Sequence, residues 1–309
     1  MPRTDQAGNP SRLAVSSASG SADASARTSS HVAITPTLLR RAPPRLVRVT
    51  LLVPYHQDDF LPDLDAALPP ATPTTTVTAT LPDDVRGWSR LAPLYRAVAD
   101  AVHSGVRPDA PLSVVSGCCG VSLGVLAGLQ RAGVDAGVVW FDAHGDVQTM
   151  ETSTSGYLGG MPLRVMVGYR PELIASSLGL RAVPESRAVL VDARDLDPPE
   201  AEYLRAAAIA VSTVESLAAA ALPDGPLLLH VDCDVIRAEE LPGLRFPVPG
   251  GPSAASLLAA VGRVLDTGRV AALDIACTWD PSAPDPTGAG PRLLADLLTR
   301  AADARPPSP

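Results

Sequence analysis

Lysine is absent from this 309-residue chain: all 25 basic residues are arginine. Against 33 acidic residues they leave a net charge of -8. That balance argues against a dominant role on nucleic acid or an anionic membrane, both of which recruit excess positive charge. Beside the abundant Ala, Arg and Pro, the missing Lys reads as the bias of a GC-rich genome, not as a functional signature. Long apolar runs are lacking too. No stretch reaches the 18 residues at which a spanning helix is read, so no membrane role is expected. Cysteine is sparse, with four residues in all, too few for a disulfide framework. No apolar secretory core is visible among the first 45 residues, which are polar and hold eight Ser and eight Ala. Arg40-Arg41 followed by Leu46 to Pro54 has the outline of a twin-Arg signal. The apolar run is short, however, contains Arg48, and reads better as a first strand. The expected compartment is the cytoplasm.

What is present is the material of a globular domain: 46% apolar and 19% charged residues, ample for a core. Residues 1–45 read as a disordered Ser/Ala-rich tail, and 46–305 as a single domain. From Leu46 onward short β-branched runs alternate with amphipathic segments, the pattern of a parallel sheet with helices on its faces. Strands are expected at Leu46–Val53, Thr75–Thr80, Leu112–Ser116, Gly137–Phe141, Ala188–Asp192, Ile209–Ser212, Leu227–Val231 and Val270–Ile275. Helices fit Leu91–His103, Val121–Arg131, Pro199–Ala208, Ser253–Leu265 and Pro291–Ala304. Asp197-Pro198-Pro199-Glu200 has the chemistry of a helix start. The fold class is therefore α/β: a three-layer α/β/α sandwich around a mostly parallel, roughly eight-stranded sheet.

Ligands of such sheets bind beyond the carboxyl ends of the strands. Gly117-Cys118-Cys119-Gly120 follows the third expected strand. Asp142-Ala143-His144-Gly145-Asp146 follows the fourth, and Asp232-Cys233-Asp234 the seventh. Four carboxylates converging on one low-dielectric rim repel one another, and stay ionised only with cations between them. Carboxylate and imidazole ligands suit a hard or borderline divalent ion such as Mn²⁺. Shared carboxylates suggest two ions and an activated water.

The run VVWFDAHGDVQTMETSTSGYLGG (138–160) resembles a metal motif of the ureohydrolases, the superfamily of arginase, agmatinase and formiminoglutamase. LLLHVDCDV (227–235) resembles their D-x-D motif. VSGCCGVSLGVLAGL (115–129), VLVDARDLDPPE (189–200) and VAALDIACTWDP (270–281) fall where the family carries further motifs, in the same order. The resemblance implies an arginase-like fold and hydrolysis of a linear C–N bond in a guanidino or amidino substrate, releasing urea or hydroxyurea. It implies one Mn²⁺ on Asp142, Asp146 and Asp232 and a second on Asp142, His144, Asp232 and Asp234. Asp146 and His144 become the candidate catalytic residues. Gln148, Ser155 and Asp197 occupy places where the family holds the α-amino and α-carboxylate groups of its substrate. A homo-oligomer, trimer or hexamer, is implied as well.

Three positions depart from the family pattern. Cys119 replaces a metal-ligand His, Gly159 a His assigned to proton shuttling, and Cys277 the acid that pairs with the guanidinium. The first two departures are similar to a branch that acts on Nω-hydroxy-arginine in the D-cycloserine pathway. A Cys119 ligand would favour Zn²⁺ or Fe²⁺ at its site. Cys277 is either core filler or a substrate contact. Cys118 and Cys233 read as packing, and His230 as a satisfied core histidine. Two other functions stand beside the hydrolase: a non-catalytic arginase-like binding or scaffold protein, and a thiol hydrolase using Cys119 with His144.

Overall fold

The computed structural model describes residues 48–280, 282–283 and 285–305. The segment 1–45, expected as a disordered tail, lies outside the described residues. All eight expected strands form: β1 (Thr50–Val53), β2 (Thr74–Thr76), β3 (Leu112–Ser116), β4 (Gly137–Phe141), β5 (Ala188–Val191), β6 (Ala210–Ser212), β7 (Leu227–Asp232) and β8 (Val270–Ala276). They make one sheet in the order β2-β1-β3-β8-β7-β4-β5-β6, and every pairing in it is parallel.

Side chains alternate across a strand, so each strand feeds two apolar layers. In β4, Val138 and Trp140 enter one buried cluster, Val139 and Phe141 the other. With both faces covered, the central strands read as continuous apolar runs. The long helices are α1 (Trp88–Gly105), α2 (Ser122–Arg131), α3 (Pro198–Ala206), α4 (Ala254–Leu265) and α5 (Ala289–Asp303). Of the stripe expected from sequence, Leu91, Leu94, Tyr95, Val98, Ala101 and Val102, all but the half-buried Ala101 are buried in α1. Helices α1 and α2 cover the first face with Leu204 of α3, and α4 and α5 cover the second.

The departures are local. β2 is an exposed three-residue edge strand, shorter than expected because it has a partner on one side only. Two short helices, Pro162–Met166 and Ala175–Leu178, lie in the crossover from β4 to β5. They are too short to show a period in sequence. The strand order does most to make the site. β3, β8, β7 and β4 lie side by side, so the loops leaving their carboxyl ends meet despite large separations in sequence.

Helices α1 and α2 approach closely through Gly124 and Gly128. A Cβ on Gly128 would stand 2.6 Å from the Ala99 carbonyl oxygen and 2.6 Å from Val102 Cβ. Overpacking of that kind costs roughly 1–3 kcal/mol, against a gain of about 1 kcal/mol in helix propensity. We expect Gly128→Ala to destabilise by roughly 1–2 kcal/mol in urea unfolding. A neutral or stabilised variant would show that the two helices separate freely.

Candidate active site

A cavity of about 190 Å³ opens beyond the carboxyl ends of the central strands. Its wall includes Asp142, His144, Asp146 and Gln148 from the loop after β4, and Asp195, Asp197 and Glu200 from the segment after β5. Cys119, Asp232, Asp234 and Thr278 complete it from the ends of β3, β7 and β8. The volume suits one small polar molecule.

Each carboxylate is held by the turn that follows its strand. Asp142 Oδ1 accepts from the His144 backbone N–H at 2.8 Å, and Oδ2 from the Trp140 indole N–H at 3.1 Å. Asp232 Oδ1 accepts from Asp234 N at 2.9 Å and Thr278 Oγ1 at 3.0 Å. Asp234 Oδ1 accepts from Ala143 N at 3.3 Å. His144 Nδ1 stands 3.3 Å from both Asp142 Oδ1 and Asp234 Oδ2. Asp146 adopts a left-handed backbone with φ of 52°, a conformation Asp tolerates better than most residues. Its buried Oδ2 has no hydrogen-bond partner.

The electrostatics follow from the crowding. Burial, and then the charges on Asp142 and Asp232, push Asp146 and Asp234 well above the usual carboxylate range. Asp232 is pushed up to about 6, by burial first and by Asp142 next. Burial pushes Asp142 up as well, but the His144 ring and backbone N–H outweigh it and hold this carboxyl below its ordinary value. Burial alone would lower His144; the facing carboxylates of Asp142 and Asp234 instead raise it to about 12. A cluster that drives three carboxyls toward protonation and one imidazole toward cationic form fits a positive guest. Among the described residues two trios place their ligand atoms within 4.8 Å of one another: Asp142–His144–Asp234 and Cys119–Asp142–His230.

The outer wall is polar. Gln148 Nε2 donates to Asp197 Oδ2 at 2.6 Å, and Gln148 Oε1 accepts from Thr152 Oγ1 at 2.7 Å. Ser155 lines the exposed mouth. The helix start at Asp197 forms as expected, with Asp197 N donating to Glu200 Oε2 at 3.1 Å. Sequence reading saw Glu200 only as a cap. Its other oxygen accepts from Val147 N at 3.2 Å, so the same residue fixes the loop that carries Asp146. Thr278, Tyr157 and Phe246 were also missed: the first sits at a strand end, the others in loops without period.

The cysteines require a correction. From sequence, Cys118 and Cys233 read as packing, Cys119 as a candidate ligand, and Cys277 as either core filler or a substrate contact. Only Cys119 lines the cavity. Cys277 is fully buried and its thiol meets Cys233, because the chain turns after Ala276 and presents Thr278 instead. Cys119 Sγ lies 2.8 Å from Asp232 Oδ2. Burial and the charges of Asp232, Asp146 and Asp142 push its thiol far up, which removes the warrant for a thiol nucleophile.

Gly159 lines the cavity, but a Cβ there would meet the Tyr157 ring at 2.3–2.4 Å. Tyr157 Oη stands 3.2 Å from His56 Nε2, and His56 Nδ1 is 2.7 Å from Gly117 O. The Tyr157 ring thus fills the place a side chain at 159 would take. We expect Gly159→His to displace Tyr157 and to destabilise by about 1–3 kcal/mol. Melting temperatures of Gly159→His and of Gly159→His/Tyr157→Gly check this: the second change should restore part of the loss, and no recovery would reject the steric account.

Comparison with known proteins agrees with this geometry. The sequence model of the arginase family matches residues 55–301. The N(omega)-hydroxy-L-arginine amidinohydrolase of Streptomyces lavendulae is 33% identical over 225 residues, 70% of this chain and 80% of that protein. An arginase of Bacillus subtilis is 33% identical over 172 residues, 51% of this chain and 57% of that protein. Among solved structures, arginase from Bacillus caldovelox matches with a TM-score of 0.70 at 22% identity, over 84% of this chain and 99% of that one. Proclavaminate amidino hydrolase from Streptomyces clavuligerus matches with a TM-score of 0.60 at 20% identity, over 85% and 94%. At such identities the structural likeness speaks for the fold alone; the family match spans most of the sequence. With that model matched over residues 55–301, this chain belongs to the arginase family.

Proposed function

We propose that residues 46–305 act as one catalytic domain that hydrolyses a linear guanidino C–N bond, releasing urea or hydroxyurea. One observation carries the reading: Asp142, Asp146, Asp232, Asp234 and His144 line a single cavity at the ends of adjacent parallel strands. Family membership gives the reaction type, and the 33% relative named for N(omega)-hydroxy-L-arginine favours a guanidino or hydroxyguanidino amino acid.

The donor set fits divalent cations. Asp142, Asp146, Asp232, Asp234 and His144 offer carboxylate and imidazole ligands suited to Mn²⁺, and the unpartnered Asp146 Oδ2 is an oxygen with nothing else to bind. When bound, such ions supply Lewis-acid activation of water at neutral pH. The remaining steps belong to side chains. Water adds its oxygen to the guanidino carbon, the C–N bond breaks, and the departing nitrogen must gain a proton. Asp146 is the group for that transfer: the carboxylate oxygen it does not give to an ion takes the proton from the attacking water and returns it to the leaving nitrogen. Gln148, Asp197 and Ser155, toward the mouth, hold the amino and carboxylate end of the substrate. Tyr157 and Phe246, ring centroids 5.2 Å apart, shield the reacting end from solvent.

The reading extends to a cytoplasmic homo-oligomer, trimer or hexamer. Its support is the resemblance; among the described residues no helix is long and apolar enough to cross a membrane. Light scattering on the purified chain tests the oligomer.

Two variants test the site. Asp232→Ala should lose both bound divalent metal, by elemental analysis, and urea or hydroxyurea release from a panel of guanidines. Retention of both would reject the cation reading of the carboxylates. Gln148→Ala removes hydrogen bonds to the distant end of the substrate. It should raise KM about tenfold while kcat stays within roughly threefold. A fall in kcat with KM unchanged would move Gln148 to the reacting centre.

A further inference from the structure

His230 lies on β7, two residues before Asp232, fully buried. The Trp140 indole stacks on it with ring centroids 3.7 Å apart. Its Nδ1 is 2.9 Å from Asp274 Oδ2 and 2.9 Å from Ser122 Oγ. The Ser122 hydroxyl itself donates to Asp274 Oδ2, so the buried carboxylate takes the hydrogens of both neighbours. With Nδ1–H committed, Nε2 of the neutral ring is a lone-pair acceptor. That nitrogen is buried and has no hydrogen-bond partner, so His230 is not the satisfied core histidine expected from sequence. A ring nitrogen of His230, Cys119 Sγ and an Asp142 oxygen lie within 4.8 Å of one another, and Nε2 is the nitrogen left to serve.

We infer that Cys119, His230 and Asp142 form a sulfur–nitrogen–oxygen cation site, selective for Zn²⁺ or Fe²⁺ over Mn²⁺. The support behind the imidazole is of the right kind: a metal-ligating imidazole usually gives its other N–H to a carboxylate, which fixes ring and tautomer. Asp274 does this for His230. The donors set the ion, because thiolate and imidazole favour softer metals while Mn²⁺ prefers oxygen. Spacing is within reach, since ligands at about 2.0–2.3 Å around a tetrahedral ion stand roughly 3.3–3.8 Å apart. Closing the trio from its present limit takes about 1 Å of side-chain movement, and the thiol proton leaves to solvent as the ion binds. A tetrahedral ion takes a fourth ligand, and Asp232 Oδ2, 2.8 Å from Cys119 Sγ, stands within reach of that position. Cys119, Asp142 and Asp232 all line the cavity, so the site borders the space that would hold the substrate. The imidazole missing at position 119 is thereby replaced from the strand beneath it.

This assignment rests on the cation reading of the cavity, and the two are separable. Wild type, Cys119→Ser, His230→Gln and His144→Ala are loaded with Co²⁺, Zn²⁺ or Mn²⁺, with folding followed by circular dichroism. Wild type with Co²⁺ should show a near-ultraviolet sulfur-to-cobalt charge-transfer band. Cys119→Ser should lose it, and His144→Ala should keep it. His230→Gln should weaken Zn²⁺ binding by more than the roughly 10–100-fold that loss of a supporting partner causes. Absence of the band in wild type, or a folded His230→Gln with unchanged Zn²⁺ affinity, overturns the site. If His230→Gln does not fold, zinc-edge X-ray absorption of His144→Ala replaces it: sulfur with imidazole scattering supports the site, and sulfur without imidazole overturns it. Mn²⁺ counted in the same samples reports on the carboxylate cluster separately. Mn²⁺ bound without a sulfur band sinks only this inference, whereas no metal of any kind sinks the cation reading as well.

Discussion

Four carboxylates, Asp142, Asp146, Asp232 and Asp234, stand where a sheet that is dry on both faces ends in a cavity. Charge repulsion in that low-dielectric rim is the constraint from which the other features of the site follow. Burying one unpaired carboxylate is expensive; here Asp142, Asp232 and Asp234 meet fixed donors, while Asp146 keeps a bare oxygen. Backbone N–H groups of Ala143, His144 and Asp234 supply part of the answer. Trp140 and Thr278 supply another part. The remainder falls to His144, whose ring is raised to about 12 by the carboxylates it faces. A divalent guest would take over that role and free the imidazole to bind as a neutral ligand.

The same constraint explains why the supporting contacts are so specific. The loop from Asp142 to Asp146 folds back tightly enough to put Asp146 in a left-handed conformation. Glu200 ties that loop to the start of α3 through Val147, while its other oxygen closes the helix start. One residue thus couples the helix terminus to the placement of the carboxylate assigned the proton transfer. Departures from the family pattern are compensated in space. Tyr157, whose hydroxyl meets His56, occupies the volume beside Gly159, and His230 stands near Cys119 where an imidazole was lost.

Much of this was legible in the chain. The eight strands, the helices between them and the capping segment at Asp197 appear in the sequence because each depends on neighbours a few residues apart. The same holds for the D-x-H-x-D and D-x-D motifs: a strand end followed by alternating acids presents both acids to one side, wherever the strand lies. The family resemblance then supplied their partners. Sequence also marked Gln148, Ser155 and Asp197, and the cavity is lined by all three.

Three matters were decided by tertiary structure. Whether Cys277 or Thr278 faces the cavity depends on how the chain turns after β8, which neither residue type announces. That Gly159 is covered depends on a ring two residues away folding over it. That His230 keeps a bare nitrogen depends on Trp140, Ser122, Asp274 and Cys119, brought together from three separate segments. Local periodicity reports on the direction of a side chain relative to its own strand or helix. The partner it finds there is set by the order of strands in the sheet, and that order exists only once distant segments have packed.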